Sequence, residues 1–297
     1  VEAGQVLVIT QLALSGIVLG AASYLDWKTR RVRNTYWIIL SLAAILLLMV
    51  QLAIDEKPIE YALILLPILA ILSDVYLDHE GSGMLATLVP VAKYAVAIVS
   101  IVAMAVMWMD DQYFVRLMTA PIMMLIIVLM YMADVVRGGA DAKALIALSI
   151  MFPIYPDILS FPLLQSAKWF GEVIFPFSFV VLINAAIIVT LLPLAFVIRN
   201  LTAGDLRFPQ AFVGYKMDAE DARKKFVWLM ERMDEGKHRI YTKPRRVEDL
   251  GKELDLLVEA GHSRVWVTPK VPFIIPMFLS LLFTTVVGNL LLLLTPL

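Results

Sequence analysis

The feature that most constrains this chain is the spacing of its charges. Residues 173–198 and 271–297 hold no Asp, Glu, Lys or Arg, and neither do 3–25, 34–54 and 117–133. Residues 61–77 carry only Asp74, and 81–109 carry only Lys93. A helix needs about 20 predominantly apolar residues to cross a hydrocarbon core about 30 Å thick, so these seven stretches read as spanning helices. The first has no basic leader and no Ala-x-Ala site, so a retained helix is expected rather than a signal peptide. Charged residues make up 17% of the chain and hydrophobic ones 61%, and there is no cysteine. Against roughly 25% charge in ordinary soluble domains, that excludes a soluble globule, a disordered chain and a disulfide scaffold.

Residues 142–155 are the ambiguous stretch, because about 14 residues suit a short crossing, a re-entrant segment or a buried helix. The distribution of basic residues decides between them. If this stretch crosses, the 26–33 loop, Arg137, Lys143 and the 15 Lys and Arg of 199–270 share one side, 21 in all. Only Lys57, Arg116 and Lys168 lie opposite, with Lys93 inside the membrane. The positive-inside rule then makes the 21-residue side cytosolic. The expectation is an all-α polytopic protein of the cytoplasmic membrane with about eight transmembrane helices and both termini external.

Residues 201–270 hold nearly half of all the charges and read as a small α+β cytosolic domain before the last helix. The organisation expected is a membrane domain over 1–200, the cytosolic domain over 201–270 and a C-terminal transmembrane helix over 271–297. Within the cytosolic part, 218–233 has helical spacing of Phe226, Leu229, Met230 and Met233, with Asp218 and Asp221 spaced like a capping box. Residues 247–259 read as a second helix, and 238–241 and 264–268 as short strands. Its basic residues alternate with acids, so nucleic-acid binding is not expected.

Without cysteine there is no thiolate chemistry, and His79, His238 and His262 fall in no ligand spacing. No Walker loop or dinucleotide fingerprint is present. No metal and no cofactor are therefore expected. What remains is acid at the membrane boundary, where ionisable groups are costly and are functional candidates by default: Asp26, Asp74, Lys93, Asp134 and Asp141. Asp26 closes the first helix and runs into Trp27-Lys28-Thr29-Arg30-Arg31-Val32. Asp141 follows Arg137-Gly138-Gly139-Ala140, where a nearly bare backbone admits another chain closely. The topology puts both acids at one face. Two carboxylates sharing a site cannot both ionise easily, so one keeps its proton, and such a pair can activate water against a peptide bond with no metal and no covalent intermediate.

These stretches resemble the archaeal preflagellin (prearchaellin) peptidases, within the type IV prepilin peptidase group of GxGD membrane aspartic proteases. Asp26-Trp27-Lys28-Thr29-Arg30-Arg31-Val32 is similar to the family's Asp-aromatic-basic-small-Arg stretch. Gly138-Gly139-Ala140-Asp141-Ala142-Lys143 is similar to its Gly-x-Gly-Asp-x-Lys signature. Phe212-Val213-Gly214-Tyr215-Lys216-Met217 and Val265-Trp266-Val267-Thr268-Pro269, the latter running into Val271-Pro272-Phe273-Ile274-Ile275-Pro276, add to the likeness. Ala140 departs from the second glycine of the signature, and the additional helices lie between residues 59 and 109.

The resemblance implies an aspartic endopeptidase with Asp26 and Asp141 as catalytic residues and Gly138, Gly139, Ala140 and Lys143 as its active-site loop. Lys143 either acts on Asp141, steadies the loop or simply snorkels. The implied partners are the lipid bilayer and the N-terminal segments of archaellin or pilin precursors, cut at the cytosolic face. Asp78 and Asp134 are candidates for binding the basic leader. The chain lacks the Cys-rich segment of the methylating bacterial enzymes, so no methyltransferase activity is expected. Oligomeric state is not legible. Three other readings stay open: a presenilin-like protease cutting within substrate helices, a proton-coupled transporter using Asp74, Lys93 and Asp134 as a relay, and a non-catalytic assembly scaffold.

Overall fold

In the computed structural model, residues 2–77, 84–164, 169–234, 236–242 and 249–293 are described. Their helices are α1 (Ala3–Thr29), α2 (Asn34–Ile54), α3 (Leu65–Tyr76), α4 (Met84–Trp108), α5 (Gln112–Leu117), α6 (Thr119–Met132), α7 (Gly139–Met151), α8 (Trp169–Ile174), α9 (Phe177–Thr190), α10 (Leu192–Ala203), α11 (Ala219–Lys224), α12 (Leu250–Glu259) and α13 (Ile274–Val286). The strands are β1 (Tyr215–Asp218), β2 (Val227–Leu229), β3 (Glu231–Asp234), β4 (Lys237–Ile240) and β5 (Arg264–Pro269). The chain divides into two compact units, Val1–Ala186 with Pro272–Leu297, and Ile187–Val271.

The protein is mostly helical, as its charge-free runs dictate. Six segments among the described residues are long and apolar enough to cross a membrane: Ala3–Thr29, Asn34–Ile54, Ile59–Tyr76, Leu88–Trp108, Gln112–Met132 and Phe177–Ala203. The expected count of eight is not reached on length. Helices α7 and α13 have 13 residues each, about 20 Å at 1.5 Å per residue, short of the hydrocarbon thickness. Helix α13 stops because the chain turns at Gly288, whose φ of 96° is left-handed.

In the first unit, α7 is the centre. Ala142 and every residue from Ala144 to Met151 are buried, as expected of a helix that is apolar on all sides. Trp37, Leu40, Ala44 and Leu48 of α2 and Met123, Met124 and Ile127 of α6 join its core. Apolar packing distinguishes poorly between helix partners within lipid, so polar contacts carry much of the specificity. Gln11 of α1 donates to the Met151 carbonyl at 3.0 Å, capping the far end of α7. Ser149 and Ser178 share a hydroxyl bond of 2.9 Å. Asn184, wholly buried, donates to Thr284 Oγ1 and to the Gly288 carbonyl, both at 2.9 Å. At the opposite end of α2 from Asn34, Tyr61 donates to Asp111 at 2.5 Å, and Tyr113 to Asp55 at 2.8 Å.

The second unit contains an antiparallel sheet ordered β1-β5-β2 and a β3-β4 hairpin. Tyr215 pairs with Val267 and Val227 with Pro269. Strands β4 and β5 and helix α12 fall where the sequence places them; Asp249 caps α12 through Gly251 N and Lys252 N. The helix expected over 218–233 is corrected. Only Ala219–Lys224 is helical, and the chain then extends into β2 and β3. Its burial alternates, with Val227 and Leu229 inside and Trp228 between them less buried, the period of a strand rather than a helix. Apolar neighbours at 229 and 230 fit both periods, which is why the spacing misled. Gly214, just before β1, lies against β5, where an added Cβ would overlap the Val267 carbonyl oxygen.

Candidate active site

Asp26 lies in the last turn of α1. The buried face of that helix steps through Leu7, Gln11, Ser15, Val18, Leu19, Ala22 and Ser23, and helical spacing of three and four carries it on to Asp26. The helix ends because Arg30 adopts a left-handed φ of 56°, its N–H donating to the Asp26 carbonyl at 3.1 Å. Thr29 Oγ1 closes the same turn on the Leu25 carbonyl at 2.9 Å. This turn sets Arg30 within electrostatic reach of the Asp26 carboxylate.

Asp141 lies in the first turn of α7, with Gly138 as the residue that opens the helix. Its carboxylate folds back over Gly138 so closely that a Cβ there would overlap it. Gly139 is different: a Cβ there would meet only Tyr131 Oη, at an ordinary 3.5 Å. Ala140 turns its methyl into the core of the first unit, so the departure from the signature does not crowd the acid.

Asp26 and Asp141 are brought together. Helix α1 runs antiparallel to α7: Gln11 bonds Met151 near one end, and Asp26 approaches Asp141 near the other. Asp26 is fifteen residues further along α1 and Asp141 ten back along α7, about 22 and 15 Å of helix. The two carboxylates accordingly come within electrostatic reach of each other, both only partly exposed.

Lys143 points away from Asp141. Its Nζ donates to Asn34 Oδ1 at 2.9 Å and lies over the Tyr76 ring at 5.6 Å, tying the start of α7 to the start of α2. Asp134 takes a left-handed φ of 59° in the turn before α7; it is exposed and reaches Arg137 at 3.9 Å, a weak surface pair. Asp78 lies outside the described residues, as does His79. Asp74 is bonded by Lys93 and by Tyr94, and Lys93 donates to Ser73 as well at 2.8 Å.

Two cavities flank the first turn of α7, and the sequence indicated neither. One, of about 500 Å³, is lined by Asp141, Gly138, Arg137, Phe179, Leu182 and Phe273 among others. The other, of about 290 Å³, lies on the Lys143 side and is lined by Asp74, Tyr94, Tyr131 and Gly139 with apolar residues. The first offers the carboxylate of Asp141 a mainly apolar neighbour. No cluster of three metal-ligating side chains occurs among the described residues.

Residues 207–290 match the family described as Archaeal Peptidase A24 C-terminus Type II. Three curated proteins, each named preflagellin peptidase, are similar to the chain. That of Methanocaldococcus jannaschii is 29% identical over 157 residues, covering 51% of this chain and 63% of the relative. That of Methanococcus maripaludis is 28% identical over 159 residues, and that of Methanococcus voltae 27% over 162, each covering 51% of this chain and 64% of the relative. The matches thus span less than two thirds of the relatives' length. Over about half its length the chain is thus similar to the preflagellin peptidases, and residues 207–290 are similar to an archaeal peptidase C-terminal family.

Proposed function

We propose that this protein is a membrane-embedded aspartic endopeptidase that removes the leader from archaellin or pilin precursors, with Asp26 and Asp141 as its dyad. The observation that carries the proposal is the approach of two acids 115 positions apart, from the ends of α1 and α7, to within electrostatic reach. In the reaction, the ionised carboxylate takes a proton from water as the water oxygen attacks the peptide carbonyl. The protonated carboxylate hydrogen-bonds the carbonyl oxygen and then supports protonation of the leaving amine. Gly138 leaves room for the Asp141 carboxylate itself to lie against the backbone that opens α7. The mainly apolar cavity next to Asp141 suits the residues that begin the precursor's apolar helix.

Placement of both acids at helix ends supports a cut at the membrane boundary rather than deep within a substrate helix. The boundary concerned is the cytosolic one by the charge distribution, with both termini and the 55–60 turn external. Since the chain has no cysteine, single cysteines at Thr29 and Glu56 test this directly with an impermeant maleimide on intact cells. Only the one at Glu56 should label. The transporter reading loses support from Asp74 and Lys93 bonding each other while Asp134 pairs with Arg137.

The decisive experiment is cleavage of leader-bearing precursors by purified protein. Asp26→Asn and Asp141→Asn are each expected to lower the rate by about 10²-fold or more, the usual contribution of a positioned acid or base, with unchanged elution as a folded species. Activity retained in either variant removes that residue from the dyad.

A further inference from the structure

The loop that follows α10 does not hide its apolar side chains. Leu206, Phe208 and Phe212 are 44%, 55% and 45% exposed. The Phe208 and Phe212 rings lie 5.1 Å apart, forming one patch. Arg207 stands exposed among them and has no ion-pair partner among the described residues. The neighbouring acid cannot serve it: Asp205 is taken up by Arg264 at 2.7 Å and Lys216 at 3.7 Å.

This loop is fastened. Asn200, buried in the last turn of α10, donates through Nδ2 to the Ala211 carbonyl at 3.3 Å and the Gly214 carbonyl at 2.7 Å. Ala211 N donates to the Arg207 carbonyl at 2.7 Å, and Gly214 N to Gln210 at 3.0 Å. These bonds hold in place the backbone that carries the patch.

What covers it follows from its attachment. The apolar span Phe177–Ala203 ends three residues before Leu206. At no more than about 3.6 Å per residue, Leu206 lies within roughly 11 Å of the end of the span. The headgroup layer on each side of the hydrocarbon core is about 5–8 Å deep, a depth that lies within this reach. Aromatic rings and basic side chains are the residue types that settle in that layer. We infer that residues 206–212 form a lipid-docking hook, in which Leu206, Phe208 and Phe212 enter the bilayer interface and Arg207 meets anionic headgroups.

The test uses the full chain in lipid nanodiscs. Because there is no native cysteine, Phe208→Cys and, as a second site that leaves the ring pair intact, Leu206→Cys can be spin-labelled alone. Glu220→Cys, exposed on α11, is the control. Power saturation is read with oxygen, which partitions into lipid, and with a water-soluble nickel chelate. The inference expects labels at 206 and 208 to be reached severalfold better by oxygen than by nickel, and the label at 220 the reverse. Adding Arg207→Gln should abolish the deepening produced by anionic over zwitterionic lipid. Nickel access at 206 and 208 equal to that at 220 overturns the inference. So does shielding of both labels from both reagents, which would signify a protein partner or a second copy on the patch.

Discussion

Gly138 owes its identity to a side chain three residues away. The Asp141 carboxylate occupies the space where a Cβ at 138 would stand, whereas Gly139 faces only Tyr131 at ordinary contact distance. Two adjacent glycines therefore predict opposite outcomes. Gly138→Ala should displace the carboxylate and lower precursor cleavage at least tenfold with folding preserved, while Gly139→Ala should stay within about twofold; steady-state cleavage rates of the two purified variants check this, on the scale that small misplacement of a catalytic group costs. The acids themselves were legible in the sequence, because a carboxylate at the edge of a charge-free run stands out against its surroundings. The division of labour in the loop was not. Which glycine matters depends on a rotamer of Asp141, and Lys143 turned toward Asn34 only because α2 begins there.

At the scale of elements, two of the stretches that carry the family likeness are explained by structure rather than chemistry. Residues 212–217 and 265–269 meet as β1 and β5, and Gly214 is where the two backbones come too close for a side chain. Gly214→Ala forces a Cβ into the Val267 carbonyl and the Met230 thioether, and overpacking of this kind costs typically about 1–3 kcal/mol. Residues 187–271 should then be digested by protease at a lower temperature than in the parent, with the membrane helices unaffected. An unchanged digestion profile would mean that β5 can shift to make room. The strands at 237–240 and 264–269 were readable as short stretches between turn residues, the second with an apolar Val265-Trp266-Val267 centre. The stretch 225–233 was not, since its apolar residues satisfy a period of 3.6 as well as a period of 2. Pairing of β2 to β5, set by residues 40 positions away in sequence, decides the matter.

At the scale of the whole molecule, the pairing of α1 with α7 is what joins the two acids. Gln11 meets Met151 near one end of the α1–α7 pair and Asp26 approaches Asp141 near the other. Six of the charge-free runs reach crossing length among the described residues, while α7 and α13 stop at 13 residues each, at ends that hydropathy does not mark. The short helix α7 has a consequence for the bilayer itself. Its roughly 20 Å lie among helices α2 and α6, of 21 and 14 residues, with irregular chain at 133–138 and 152–164 completing the path. Non-helical backbone is tolerated at membrane depth only where protein or a wet cavity surrounds it, so the proposed dyad sits in a place where lipid thickness and protein length are out of register. Such mismatch is relieved by tilt or by local thinning, which makes acyl-chain length a control on the proposed cleavage. Cleavage rates in nanodiscs of graded thickness should pass through a maximum in the thinner bilayers and fall as the chains lengthen, while a flat profile would show that the helices insulate α7 from its solvent.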